Sequence, residues 1–158
     1  MTATFDAGAD LTTVGVVGLG DTGLPLALSL ADAGNLTTGL DIDPGKIAAL
    51  RVGESYTPAV SADAIEATAD WFEPTSDPSR LAGLDSYVIC VPVPVGADGA
   101  ADLRHVLGAA DLLGPLLHPG ATVEIRTSVP PGAITLLSER LAKASGLRPG
   151  VDFRITGA

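Results

Sequence analysis

One short segment constrains this chain more than any other: Gly18-Leu19-Gly20-Asp21-Thr22-Gly23, a GxGxxG element. It follows the apolar run Val14-Gly15-Val16-Val17 and leads into residues 24–33, whose spacing of leucines and alanines predicts a helix. A chain can pass this tightly from strand to helix only where side chains are missing at chosen points. Gly18 permits the turn, Gly20 lets a pyrophosphate approach the backbone, and Gly23 lets the helix pack on the strand. The helix start then offers N–H groups without intrahelical partners and a positive partial charge. Asp41 ends the next predicted strand, about 20 residues on, where a carboxylate can accept hydrogen bonds from both hydroxyls of an adenosine ribose. A carboxylate there repels the 2′-phosphate of NADP, so the pattern favours NAD. The same glycines would also serve a bare strand-to-helix turn.

Two charged residues bear on that reading. Asp21 lies in the loop that would face an anionic phosphate, and like charges a few ångströms apart in a partly dry site cost on the order of 1–4 kcal/mol. Lys46, early in the second helix, could offset this, or could simply be a solvated surface lysine.

Beyond residues 1–12, which read as a loose leader, short apolar strands alternate with helices through residues 13–158. Strands are expected at 14–17, 37–42, around Trp71-Phe72, at 86–91, 122–126 and 152–156. Helices are expected at 24–33, 44–51, 63–68, 102–117 and from Pro130-Pro131 to 144, with a turn opened by Asp77-Pro78 and a Gly- and Pro-bearing loop over 53–60. Such alternation implies right-handed crossovers and a parallel sheet covered on both faces. The expected fold is a single α/β domain, a Rossmann-type, doubly wound, parallel six-stranded sheet in a three-layer αβα sandwich.

Composition narrows the function classes. With 158 residues there is room for one core, and the 46% hydrophobic content suits strands buried on both faces. No apolar run reaches the roughly 18 residues of a membrane span. The net charge of −10 opposes binding to nucleic acid or anionic membranes. Residues 1–10 carry no Lys or Arg and no long apolar run, and a lone cysteine cannot form an internal disulfide, so the reading is cytoplasmic. No metal-ligand spacing occurs. Cys90, inside an apolar run, reads as an inert core thiol. His105 and His118 read as surface histidines, and Asp98 and Asp102 as a loop acid and a helix cap.

Four segments carry a specific resemblance. Residues 14–27, VGVVGLGDTGLPLA, resemble the opening of the UDP-glucose/GDP-mannose dehydrogenase family, which usually reads GLGYVGLP there. Residues 39–47, GLDIDPGKI, are similar to its second-strand motif, and residues 89–95, ICVPVPV, followed by Asp98-Gly99 and Asp102-Leu103, to its CVPTP segment and acidic loop. Residues 126–132, RTSVPPG, resemble its (K/E)STVPPG segment. The resemblance implies NAD as cofactor and oxidation of the primary alcohol of a nucleotide sugar to a carboxylate in two successive steps. It implies a cofactor-binding set of Gly18, Leu19, Gly20, Asp21, Thr22, Gly23, Asp41, Ile42, Lys46, Val91, Pro92, Val93 and Ser128. Ser128 falls where the family has a threonine near the reacting carbon, and Ser128, Arg126 and His105 are the candidates for a catalytic part.

The departures are equally specific. Asp21-Thr22 replaces Tyr-Val, and Val93 replaces the threonine of CVPTP. The family's next segment, with its catalytic glutamates, lysine, asparagine and nucleophilic cysteine, has no counterpart in these 158 residues. The leading expectation is therefore a stand-alone NAD(H)-binding module, unable by itself to complete the oxidation. The alternatives are a small biosynthetic enzyme of bacterial type that turns the same cleft to a different reaction, redox or not, or a fragment of a full dehydrogenase. Apolar surface covered in relatives by the central helix and second domain points to a homodimer or a protein partner.

Overall fold

A computed structural model describes residues 12–157. The elements run β1 (Thr13–Val17), α1 (Gly23–Asp32), β2 (Leu36–Leu40), α2 (Pro44–Arg51), α3 (Ala62–Ala67), β3 (Phe72–Thr75), β4 (Ser86–Ile89), α4 (Arg104–Leu113), β5 (Thr122–Ile125), α5 (Ala133–Ser145) and β6 (Arg154–Gly157). Single 3₁₀ turns occupy Pro78–Leu81 and Gly114–Leu116. The strands form one six-stranded sheet in the order β3-β2-β1-β4-β5-β6, and every ladder is parallel. The expected doubly wound αβα architecture is thus what the chain forms. The leader expected over 1–12 falls, apart from Thr12, outside the described residues.

The two core layers follow from strand periodicity, because successive side chains on a strand point to opposite faces. On one face Val14, Val16 and Val88 pack with Leu24, Ala27 and Leu28 of α1, Ile47 and Leu50 of α2 and Ile65 of α3. On the other, Val17, Tyr87, Ile89, Val123 and Ile125 pack with Val106 and Leu113 of α4 and Leu137 and Leu141 of α5. Tyr87 is fully buried, and its hydroxyl both donates to Leu81 O at 2.6 Å and accepts from Leu84 N–H at 3.1 Å.

Several element limits differ from the sequence expectation, each for a local reason. The third strand lies further along than Trp71-Phe72 and includes Pro74, tolerated because β3 is an edge strand. The fourth ends at Ile89, short of Val91. Helix α4 stops at Leu113, and Gly114-Pro115 tightens the last turn. Pro130-Pro131 lie ahead of α5, whose start is set by Gly132 at φ 86°. Asp152 is outside β6, held in a turn by the Arg148 N–H at 2.8 Å and the Arg148 guanidinium at 3.0 Å.

Strand order reverses between β1 and β4, whose connections leave to opposite sides of the sheet. In open α/β sheets that reversal opens a crevice at the carboxyl ends of the strands. The ladder continues one residue past the strands there: Gly18 N–H donates to Leu40 O at 2.8 Å and Cys90 N–H to Val17 O at 2.8 Å. Gly18 and Cys90 therefore stand side by side at the floor of the crevice.

Candidate functional site

The three loop glycines have three different physical reasons. Gly18 has φ 97°, and a Cβ there would lie 3.0 Å from the Cys90 carbonyl carbon. At Gly23 a Cβ would lie only 1.7 Å from Gly18 O, so α1 can sit this close to β1 only without a side chain. Gly20 is unlike either: its φ is not in the positive range and an added Cβ would meet no protein atom within 4 Å. Among the described residues nothing crowds position 20, so the space in front of it, along the start of α1, is open.

That space belongs to a cleft with two lobes. One, about 400 Å³, is lined by Leu40, Asp41, Ile42 and Lys46 on one side and by Arg104, His105, Gly108 and Ala109 on the other. The other, about 500 Å³, is lined by Gly20, Asp21 and Thr22 of the loop and by Cys90, Arg126, Thr127 and Ser128. Gly18, Asp41, Lys46, Val91 and Pro92 line both, so the lobes join at the end of β1. Cavities of several hundred cubic ångströms suit an organic cofactor. The residues present fit a dinucleotide: Gly18 stands where the lobes join, and the open Gly20 cradle at the start of α1 lines the second lobe beside it.

Asp41 anchors the first lobe. Its Oδ2 accepts the Leu19 N–H at 3.0 Å and its Oδ1 the Asp43 N–H at 2.9 Å. Each carboxylate oxygen has a second lone pair, so capacity remains for two incoming hydroxyls. Lys46 Nζ is 3.9 Å from Asp41 Oδ2 and 5.4 Å from the centre of the Tyr56 ring. It is therefore held beside Asp41 and does not stand as a fully solvated lysine.

The remaining expected residues fall in distinct places. Leu19 is buried, and meets the site through its backbone. Ile42 is 87% exposed on the rim of the first lobe. Ser128 is exposed in the second lobe, beside Arg126, whose Nε pairs with Glu124 Oε1 at 2.8 Å. His105 lies in the first lobe, across the cleft from Asp41 and away from Ser128 and Arg126, so these three do not form one cluster. Val93 is in neither wall and packs against the α4–α5 core. Asp102 accepts the Arg104 backbone N–H and guanidinium, which hold its carboxyl down to about 2; Leu103, not Asp102, occupies the α4 N-cap. Among the described residues no group of three or more His, Cys, Asp or Glu is placed to hold a metal ion, and no helix is long and apolar enough to cross a membrane.

Cys90 keeps part of the sequence reading and corrects the rest: it packs against the core layer of α1, but β4 ends at Ile89, and Cys90 is half-buried and also lines the cleft wall. Burial pushes its thiol up to about 11, against a smaller downward pull from Arg126 and with a small addition from Glu124. A raised pKa leaves the thiolate about a hundredfold scarcer at neutral pH than on an ordinary cysteine. Alkylation by iodoacetamide should accordingly be slow at pH 7 and accelerate about tenfold per pH unit towards 11. A neutral-pH rate equal to that of free cysteine would contradict this.

Three residues escaped sequence reasoning. Thr127 Oγ1 donates to Val91 O at 2.6 Å and so ties β5's end to the cleft's central wall. Tyr56 Oη donates to Leu19 O at 2.5 Å, and Thr57 Oγ1 donates to Asp21 Oδ1 at 2.7 Å. Burial, then Asp41 and Asp43, push the Tyr56 phenol up to about 12, so it remains a donor at any physiological pH. Residues 53–60 read only as a turn-rich loop, because contacts spanning 36 and 37 positions leave no local signature.

Residues 12–157 match the family described as "UDP-glucose/GDP-mannose dehydrogenase family, NAD binding domain". UDP-N-acetyl-D-mannosamine dehydrogenase of Salmonella typhi is 32% identical over 145 residues, which is 90% of this chain and 33% of that protein. UDP-N-acetyl-D-glucosamine 6-dehydrogenase of Pseudomonas aeruginosa is 33% identical over 141 residues, 89% of this chain and 33% of its own length. Among solved structures, the UDP-D-ManNAc dehydrogenase from Pyrococcus horikoshii aligns with a TM-score of 0.88 at 28% identity, over 93% of this chain and 36% of that one. The chain thus spans about a third of the length of the relatives it matches. A match over all the described residues means that the chain belongs to the UDP-glucose/GDP-mannose dehydrogenase family and carries its NAD-binding domain.

Proposed function

We propose that this domain binds NAD(H) in preference to NADP(H), and that its 158 residues hold the cofactor without completing the alcohol-to-carboxylate oxidation alone. The observation that carries the cofactor reading is the contrast between the glycines. Gly18 and Gly23 are required by neighbouring protein atoms, whereas no described residue crowds Gly20, whose backbone at the start of α1 is left open to an approaching pyrophosphate. Asp41 and the Ile42 rim would hold the adenosine ribose and its base, Gly18, Gly20 and the α1 start the pyrophosphate, and Val91, Pro92, Thr127 and Ser128 the nicotinamide end. When bound, the nicotinamide supplies a hydride acceptor.

The preference for NAD follows from Asp41. A 2′-phosphate brought against this carboxylate would meet a like charge in a half-enclosed lobe, only partly offset by Lys46 at 3.9 Å. Incompleteness follows from the side chains facing the cleft. The sulfur present, on Cys90, is protonated at neutral pH and sits against β1, and Arg126 is occupied by Glu124. Neither is poised as nucleophile or base. The nucleotide-sugar oxidation named for the relatives would then need residues outside this domain.

The chain incubated with NAD and UDP-N-acetylmannosamine should bind NAD but yield no NADH fluorescence above a no-protein control. NADH formation by the chain alone would overturn the incompleteness, and failure to bind NAD would overturn the cofactor assignment.

A further inference from the structure

We propose that Thr57 is a positioning residue for the phosphate loop: its hydroxyl restrains the Asp21 carboxylate, so that an acidic residue is tolerated beside the pyrophosphate of NAD. This rests on the NAD reading above, and explains how the loop carries a charge of the wrong sign.

Asp21 is exposed in the second lobe, one residue beyond the open Gly20 cradle. A carboxylate free to rotate there would sample positions against an incoming phosphate. Thr57 limits that freedom. Thr57 is only 6% exposed, and its Oγ1 both accepts the Ala59 N–H at 3.2 Å and donates to Asp21 Oδ1 at 2.7 Å. Because an ionised carboxylate can only accept, the hydroxyl hydrogen is directed at Asp21.

The segment behind Thr57 is itself fixed. Ser55 Oγ bridges Thr57 O at 2.8 Å and Val60 O at 2.6 Å, closing residues 55–60 on themselves. The neighbouring Tyr56 hydroxyl donates to Leu19 O at 2.5 Å while Asp41 accepts the Leu19 N–H. The phosphate loop is therefore gripped on either side of Gly20 by one bracket: at Leu19 by Tyr56 and at Asp21 by Thr57. A donor that reaches 36 positions along the chain fixes an exposed carboxylate at a place that no contact within the phosphate loop itself would impose. Its effect is on where the charge sits.

The test is NAD affinity, by calorimetry, across Thr57→Val, Thr57→Ser, Asp21→Asn and the Thr57→Val/Asp21→Asn double variant, with adenosine as a ligand lacking phosphate. Thr57→Val should weaken NAD about tenfold, or ~1.4 kcal/mol, and leave adenosine unchanged. Thr57→Ser, which keeps the hydroxyl, should bind as the unmodified chain does. The double variant should return to the affinity of Asp21→Asn, because a neutral amide has no charge to restrain. Asp21→Glu, at an exposed position that cannot endanger folding, moves the carboxylate off the Thr57 hydroxyl and should also weaken NAD. If the unmodified chain binds NAD but Thr57→Val and Asp21→Glu bind it equally well, or if the double variant stays as weak as Thr57→Val, the restraint is refuted while the cofactor site stands. If the unmodified chain binds no NAD, both readings fall.

Discussion

Replacing Gly23 by alanine should destabilise the domain more than any other single change in the loop. The added Cβ would fall 1.7 Å from Gly18 O and 2.8 Å from Gly18 C, both backbone atoms, and 3.1 Å from Cys90 Cβ. No side chain can swing aside to relieve the overlap, so α1 must lift from β1. That helix buries Leu24, Ala27, Leu28 and Ala31 against the sheet, and lifting it opens the whole layer. Overpacking commonly costs 1–3 kcal/mol, and an immovable obstacle places this case at about 3 kcal/mol or more. For a domain of this size the melting temperature should fall by about 6–12 °C. Gly20→Ala is the counterpart: with open space before it, stability should change by no more than about 0.5 kcal/mol, while NAD affinity falls at least about tenfold. Equal melting losses in the two variants would contradict the division of labour among the glycines.

Asp41→Ala should have the largest effect on binding. The carboxylate is only 11% exposed, and it holds the phosphate loop through Leu19 N–H and the entry to α2 through Asp43 N–H. Removing it takes away both these acceptors and the acceptor for the ribose hydroxyls. Charge-assisted hydrogen bonds contribute about 1.5–3 kcal/mol each, so NAD affinity should fall by about 100-fold or more. Selectivity should change as well. Without Asp41 the like charge is gone and Lys46 loses its anionic partner, so NADP should bind the variant about as well as NAD does. Calorimetric titration of the variant with both cofactors checks this; a retained preference for NAD would place the discrimination elsewhere than Asp41.

The sequence made the sheet and the loop legible because both depend on local periodicity and on glycine chemistry. Val14-Gly15-Val16-Val17 followed by GxGxxG leaves few alternatives to a strand, a tight turn and a helix. Asp41 was legible from spacing, because β2 in a parallel βαβ unit must end at the same edge as β1. Less legible was whatever tertiary contact decides. The end of β4 is set by its ladder with β5, which pairs Ile89 with Ile125 and leaves Cys90 in the cleft wall. Nothing in the apolar run from Tyr87 to Val91 marks that limit. Val93 reads by resemblance as a cofactor contact, yet the chain beyond Pro92 turns it towards the core. The bracket formed by Tyr56 and Thr57 was hidden for the same reason: two side chains in a turn-rich loop acquire a role only when the fold brings them under the phosphate loop.

Calorimetric titration of the unmodified chain with NAD and NADP side by side tests most directly whether Asp41 and the glycine loop form a selective NAD site. Saturable NAD binding at a single site is expected, with NADP weaker by about 100-fold, the order expected for one like-charge pair in a half-enclosed lobe. Absence of heat with NAD at millimolar concentration, or equal affinity for NADP, would contradict that expectation.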